Sequence, residues 1–174
     1  VIPEIDVNSK AAIIRTQVFG YTSNQMNLVD WYPFVVPYDT VKGWLLNKPA
    51  SYGEHLIYDA ADFDVTVQFA DETAPIVAAS GTEIPTSTGK HFLLEKGRSF
   101  AFSFSPDYLI KSQDVDGITV FSFYYPGSAL GGQAALDATV RALQIFNQDF
   151  GPYPHQTMSI VEEQTTFSME YDGL

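Results

Sequence analysis

The 174-residue chain has no cysteine, which excludes disulfides, thiolate metal sites and cysteine nucleophiles. It is also short of cations. Nine Lys and Arg stand against 21 Asp and Glu, for a formal net charge of −12. A phosphate-binding surface is built from clustered Lys and Arg, so this balance argues against nucleic acid as a partner and against an anionic membrane surface. No apolar run nears the about 20 residues that a membrane-spanning helix requires. The stretch Ile76-Val77-Ala78-Ala79 is only strand-sized. There is no internal repeat and no low-complexity tract. His-Glu-x-x-His, which sets two imidazoles on one helix face around zinc, does not occur. Neither does the Gly-x-Ser-x-Gly nucleophile elbow, so Ser80 and Ser128 lack a supporting context. Gly127, Gly131 and Gly132 do not follow the Gly-x-Gly-x-x-Gly phosphate pattern and read as a loop before a helix.

What the chain does have is apolar and aromatic material: 45% hydrophobic residues, with 13 Phe and 10 Tyr. That is enough for a packed core and favours sheet. Residues 1–125 read as strands. Ala11–Tyr21 carries Ile13, Ile14, Val18 and Phe19. Asn27–Tyr38 holds Trp31-Tyr32-Pro33-Phe34 and Pro37 and reads as an extended segment near a sheet edge, since proline cannot donate to a central ladder. Asp62–Phe69 alternates, with Val65, Val67 and Phe69 on one face. Pro75–Ala79 is a short apolar strand ended by Ser80-Gly81. Ser99–Phe104 alternates with Phe100, Phe102 and Phe104 inward. Asp107–Gln113 and Ile118–Tyr125 flank Asp114-Val115-Asp116-Gly117, a hairpin signal because glycine accepts the positive φ of a tight turn. Phe121, Phe123 and Tyr125 share one face of the second strand.

The pattern changes at Pro126-Gly127-Ser128. From Gly132 to Asp149 the period is helical, with Leu136, Val140, Leu143 and Phe146 at steps of four, three and three. Phe150-Gly151-Pro152 stops the helix. An apolar strand, Thr157–Glu162, follows. The expected architecture is mainly β, with antiparallel saddle- or sandwich-like sheets, then one long α-helix and a returning strand.

Several side chains invite a chemical reading. His55, His91 and His155 stand far apart and read as surface or structural groups. Asp59, Asp62 and Asp64 suggest calcium only loosely, because their spacing is not that of an EF-hand loop. Asp114 and Asp116 are accounted for by the hairpin turn. Glu162 and Glu163 form a carboxylate pair whose use depends on geometry. Trp31, Tyr32 and Trp44 are better explained by core packing than by a sugar-stacking surface.

The final residues carry the most specific pattern. A helix ends in Phe146-Asn147-Gln148-Asp149-Phe150-Gly151-Pro152-Tyr153-Pro154. The strand Met158-Ser159-Ile160-Val161-Glu162 follows, and then Phe167-Ser168-Met169-Glu170-Tyr171-Asp172-Gly173-Leu174. This run resembles the start of the catalytic domain of aminopeptidase N-like (gluzincin) zinc metallopeptidases, which carry Gly-x-Met-Glu-Asn at this point. Phe167 stands where the family usually has Gly, and Tyr171 where it commonly has Asn; bacterial relatives often have Tyr there. Trp31-Tyr32-Pro33 and Asp62-Phe63-Asp64-Val65-Thr66-Val67 look like pieces of the saddle-shaped β domain that precedes the catalytic domain in that family.

The resemblance implies a β-rich domain over 1–126, incomplete, and the opening of a thermolysin-like α/β catalytic domain over 127–174. It implies that Glu170 anchors the α-ammonium group of a peptide through charge-assisted hydrogen bonds, with Ser168, Met169 and Tyr171 along the substrate as an added strand. The family's second amine anchor, supplied by its β domain, has no counterpart here. Zinc and the general-base glutamate belong to a His-Glu-x-x-His segment further along in the family. The chain is therefore expected to be a piece of a longer peptidase, to bind no zinc by itself and to cleave no peptide alone. A non-catalytic binding or scaffold relative of the same fold is the alternative. An apolar helix face is expected to seek cover, against the β region or a second copy. Compartment stays open, with a leaning toward an extracytoplasmic bacterial setting.

Overall fold

The computed structural model describes residues 20–29, 31–46, 59–70, 74–164 and 168–174. Eleven strands come first along these residues. They are β1 (Gly20–Tyr21), β2 (Met26–Leu28), β3 (Tyr38–Asp39), β4 (Gly43–Trp44), β5 (Ala61–Val67), β6 (Ile76–Ala79), β7 (Thr82–Ile84), β8 (Lys90–Gly97), β9 (Phe102–Ser105), β10 (Leu109–Val115) and β11 (Ile118–Tyr124). A 3-10 turn (Pro126–Ser128), helix α1 (Ala129–Phe150) and strand β12 (Thr157–Val161) follow. The protein is thus mainly β, with one long helix and a returning strand. The Ala11–Tyr21 strand expected from sequence lies, apart from Gly20 and Tyr21, outside the described residues.

The strands form a front sheet in the order β5-β8-β7, a middle sheet β1-β2-β9-β6 and a rear sheet β10-β11-β12, with β3 and β4 as a separate hairpin. Front and middle sheets are antiparallel throughout. In the rear sheet β10 pairs antiparallel with β11, and β12 runs parallel to β11. A parallel neighbour needs a long crossover, which α1 supplies.

Alternation along the strands decides how the layers stack. In β6, Val77 and Ala79 join Phe92, Leu94, Phe100 and Phe102 in the seam between front and middle sheets. Phe63, Val65 and Val67 of β5 pack there too, with Phe69 just beyond that strand. Ala78 and Ile76 point the other way, toward Tyr108, Phe121, Phe123 and Val161, in the seam between middle and rear sheets. The opposite face of the rear sheet (Val115, Ile118, Val120, Met158, Ile160) receives Leu136, Val140 and Leu143 of α1. Strand β11 is therefore apolar on both faces, as a strand covered from both sides must be.

The Asp-Gly turn forms as expected. Asp116 and Gly117 take φ of 50° and 82°, the two positive values of a type I′ hairpin turn. Gly151 ends α1 at φ 101°, ψ 173°, a region essentially reserved for glycine.

Four expectations need correction. Gly131 and Gly132 lie inside α1, which begins at Ala129 rather than Gly132. At Gly132 a Cβ would sit 2.5 Å from the Tyr124 ring, so glycine is what lets the helix lie on β11. Phe146, read on one helix stripe with Leu136, Val140 and Leu143, is 55% exposed and does not share their cover. The segment expected near a sheet edge begins inside one, since β2 sits between β1 and β9. Finally, core packing explains Tyr32, whose ring meets Phe63 and whose hydroxyl accepts from the Phe100 N–H. It does not explain Trp44, which is 56% exposed on its hairpin against Tyr38. Trp31 is 40% exposed while its ring touches Phe102.

Candidate functional site

The candidate residues follow β12, and their placement begins with that strand's exit. The Glu162 N–H donates to Phe123 O at 2.9 Å, extending the β11 pairing by one residue. The Glu162 carboxylate then accepts from the Tyr125 N–H (2.9 Å) and the Ser128 hydroxyl (2.6 Å), fastening the 3-10 turn that leads into α1.

Glu163 turns into the middle sheet instead. Its carboxylate accepts from Asn27 Nδ2 at 2.5 Å. Asn27 Oδ1 accepts from the Ser103 hydroxyl (2.7 Å), which lies 2.8 Å from the Tyr108 hydroxyl. Gln25 completes the network, donating to Tyr108 (2.6 Å) and Ser103 (3.2 Å) and accepting from the Gln164 N–H (2.7 Å). Thr22 donates to the Gln164 side chain at 2.8 Å. The two neighbouring carboxylates thus serve different elements and do not face each other as an acid–base pair.

Electrostatics separates the groups further. Burial pushes the Glu163 carboxyl up to about 7, against a smaller opposing effect of the Ser103 hydroxyl. Among the described residues Lys90 pairs with Glu83 and His91 contacts Asp64, so Glu163 has no cationic partner there. Burial also raises Tyr108 and Tyr125 above the usual phenol range. The Tyr125 hydroxyl is buried close to Ser105 and Tyr108 without a well-formed hydrogen bond to either.

Ser168, Met169 and Glu170 lie outside any regular element and are exposed. The four residues after them are held firmly. Tyr171 and Leu174 exchange backbone hydrogen bonds in a tight turn (2.8 and 3.1 Å). The Ser159 N–H of β12 donates to Gly173 O at 2.8 Å, so the turn occupies the side of β12 away from β11. The Asp172 carboxylate accepts from the Arg98 N–H, and its own N–H reaches Ser99 Oγ at 3.4 Å. Gly173 takes φ 78° and is buried against Gly81, where a Cβ would lie 3.3 Å from the Gly81 N. Leu174 packs into the seam between middle and rear sheets. Glu170 accordingly stands directly before a turn that Asp172 and Gly173 hold to the Arg98 N–H and to β12.

The remaining candidates are dispersed. His91 pairs with Asp64 at 2.8 Å on the solvent side of the front sheet, and His155 stands edge-on to Tyr153. His55 lies outside the described residues, as does Phe167. Asp62 accepts from the Lys96 N–H, and Asp59 is exposed. Ser80 is buried and accepts from the Ala101 N–H. Among the described residues no group of three or more His, Cys, Asp or Glu is arranged to hold a metal ion. No helix among the described residues is long and apolar enough to cross a membrane.

Sequence reasoning missed Gln25, Asn27, Ser103, Tyr108 and the clamping role of Asp172. Asn27 and Glu163 stand 136 positions apart, and no local pattern links the two. No family model matches the sequence, and no curated protein matches it.

Proposed function

We propose that Ser168–Tyr171 form the edge that receives a peptide's free amino terminus in a zinc-dependent, aminopeptidase-like metallopeptidase. In this reading Glu170 is the anchor for the α-ammonium group. The supporting observation is the exposed Glu170 carboxylate directly before the Tyr171–Leu174 turn, which is fixed to β12. An anchor must stand at a set distance from the scissile bond, and a residue beside a turn fixed to the sheet holds that distance better than one in a free loop. Exposed, non-paired backbone at Ser168 and Met169 is what an extended peptide needs in order to add as a strand. The described residues do not fit a zinc site, so in this reading the metal and the general base come from elsewhere, and the role of this chain is binding and orientation.

An exposed ion pair is worth at most about 1 kcal/mol. That is far short of the about 4 kcal/mol behind a dissociation constant of about 1 mM, so binding of a peptide to this chain alone is expected to be weaker than about 1 mM unless strand pairing adds to it. Isotope-edited NMR titration with a free-amine tripeptide and its N-acetylated form provides the test. The free-amine peptide moves the Ser168–Tyr171 amide resonances and the acetylated one does not. Glu170→Gln weakens the response about two- to fivefold, the equivalent of that ion pair. Equal responses to both peptides, or none, contradict the reading.

A second reading has its own observation. Phe146 and Phe150 stack edge-on at 5.8 Å near the end of α1 and are 55% and 83% exposed, with Ile145 also half out. Such a patch supports a binding or scaffold role in which the helix seats against another protein surface or a second copy. Sedimentation of Phe146→Ser/Phe150→Ser against the parent chain separates the two. Self-association that disappears in the double variant favours the scaffold reading.

A further inference from the structure

The outward side of α1 carries a charge pattern that the roles proposed above leave unused. Leu136, Val140 and Leu143 pack on the rear sheet. Ile145 lies about two and a half helical turns beyond Leu136, so it points away from that sheet, and it is 47% exposed. Arg141 stands one turn before it and Asp149 one turn after it, both exposed. Residues four apart lie one above the other on a helix surface. The three therefore form a single row of cation, apolar side chain and carboxylate.

The rest of the molecule leaves this row unpaired. The other charged side chain of α1, Asp137, accepts from Gln133. Among the described residues Arg141 and Asp149 take part in no hydrogen bond or ion pair. Asp149 also stands against the helix dipole. It lies in the last turn of α1, which has no basic residue, beside the carbonyl ends where a cation is favoured. Ala138 and Ala142, on the neighbouring turns, are small enough to let a second helix approach closely.

A row that reads plus, apolar, minus is its own complement when reversed. We propose that α1 is a self-association surface: a second copy docks antiparallel on it about a two-fold axis through Ile145, with Arg141 of each copy opposite Asp149 of the other. The pairing brings a cation to the carbonyl end of both helices at once. Other registers lose this. Reversal about Arg141 would oppose two guanidinium groups, and reversal about Asp149 two carboxylates. The net charge of −12 sets any two copies against each other, so a contact that forms must bring its own opposite charges. The inference rests on the scaffold reading above and deepens it by naming the partner as this same chain. The helices overlap over only about three turns, a small interface, and the expected dissociation constant is on the order of 100 μM.

Sedimentation equilibrium from about 10 μM to about 1 mM tests this, at physiological salt where screening over about 8 Å mutes the repulsion between the acidic bodies. Arg141→Asp and Asp149→Arg are each expected to weaken the dimer at least about tenfold, because each replaces two attractive pairs with two repulsive ones. The double variant Arg141→Asp/Asp149→Arg should dimerise like the wild type. An equimolar mixture of the two single variants should form a heterodimer, since one then presents two carboxylates and the other two cations. The chain has no cysteine, so the register can be read separately. Ile145→Cys should cross-link to a disulfide dimer under mild oxidation at least about tenfold faster than Leu130→Cys, which lies at the far end of α1 and is 90% exposed. A wild-type chain that stays monomeric at about 1 mM overturns the proposal, and so do single variants that dimerise like the wild type. A dimer lost in Phe146→Ser/Phe150→Ser but indifferent to the charge variants overturns this register and leaves the scaffold reading standing. A monomeric wild type leaves that reading only with a different protein as partner.

Discussion

The two seams on either side of the middle sheet are built on opposite principles. The front seam is a run of rings: Phe63, Phe100, Phe102 and Phe104 meet at centroid separations of 5.6–6.1 Å, and none carries a polar atom. The rear seam mixes apolar packing by Ala78, Phe123 and Val161 with the Gln25–Asn27–Ser103–Tyr108–Glu163 network. A seam packed mainly by apolar rings, with no carboxylate among them, resists change of pH. A buried polar network specifies one arrangement and is costly when any partner is lost. The part of the molecule that carries the candidate site is thus fastened by the more conditional of the two seams.

Mutations sharpen the contrast. The largest expected effect is in the front seam. Phe100 is 1% exposed, and Phe100→Ala should cost about 3–5 kcal/mol. Denaturant unfolding should show the same loss at pH 5 and pH 8; a loss confined to one pH would blur the distinction between the seams. Next comes Glu163→Gln, with the opposite sign. The folded-state carboxyl lies at about 7 against 4.5 unfolded, so its ionisation opposes folding. The variant should match the wild type near pH 4, gain on it as pH rises, and level off above about pH 7 at up to about 3 kcal/mol more stable. A destabilised variant at pH 8 would mean that the carboxylate is a needed acceptor rather than a burden.

Smaller is Gly132→Ala, which drives a methyl group into the Tyr124 ring and should cost about 1–3 kcal/mol by lifting α1 off β11. Thermal unfolding would read this, and a neutral result would mean that the ring can move aside. Glu170→Gln should change stability by less than about 0.5 kcal/mol, because the side chain is exposed. A large loss there would recast Glu170 as a structural residue.

The seams also differ in how far they can be read from the chain. The Phe100, Phe102, Phe104 alternation and the Val65, Val67, Phe69 face are local patterns of period two, and both landed in the front seam. The Asp116-Gly117 turn and the Leu136, Val140, Leu143 stripe are equally local. Strand β8 escaped notice because Leu93, an apolar residue, occupies an outward position between Phe92 and Leu94 and hides the alternation. The start of α1 was misplaced because Gly131 and Gly132 look like loop residues. The need for glycine at 132 comes from Tyr124, which is near only in three dimensions. The candidate segment was visible from Ser168-Met169-Glu170-Tyr171, whereas the Asp172 and Gly173 contacts behind it were not. Gln25, Asn27 and Ser103 are small polar residues in strands and a turn, with nothing in their neighbourhoods to link them to Glu163.

The most direct measurement is a carbon-detected NMR titration of the glutamate carboxyls from pH 4 to pH 9. The expected result is one carboxyl with a midpoint near 7, missing in Glu163→Gln. A titration in which every glutamate is ionised by pH 5 would contradict the account.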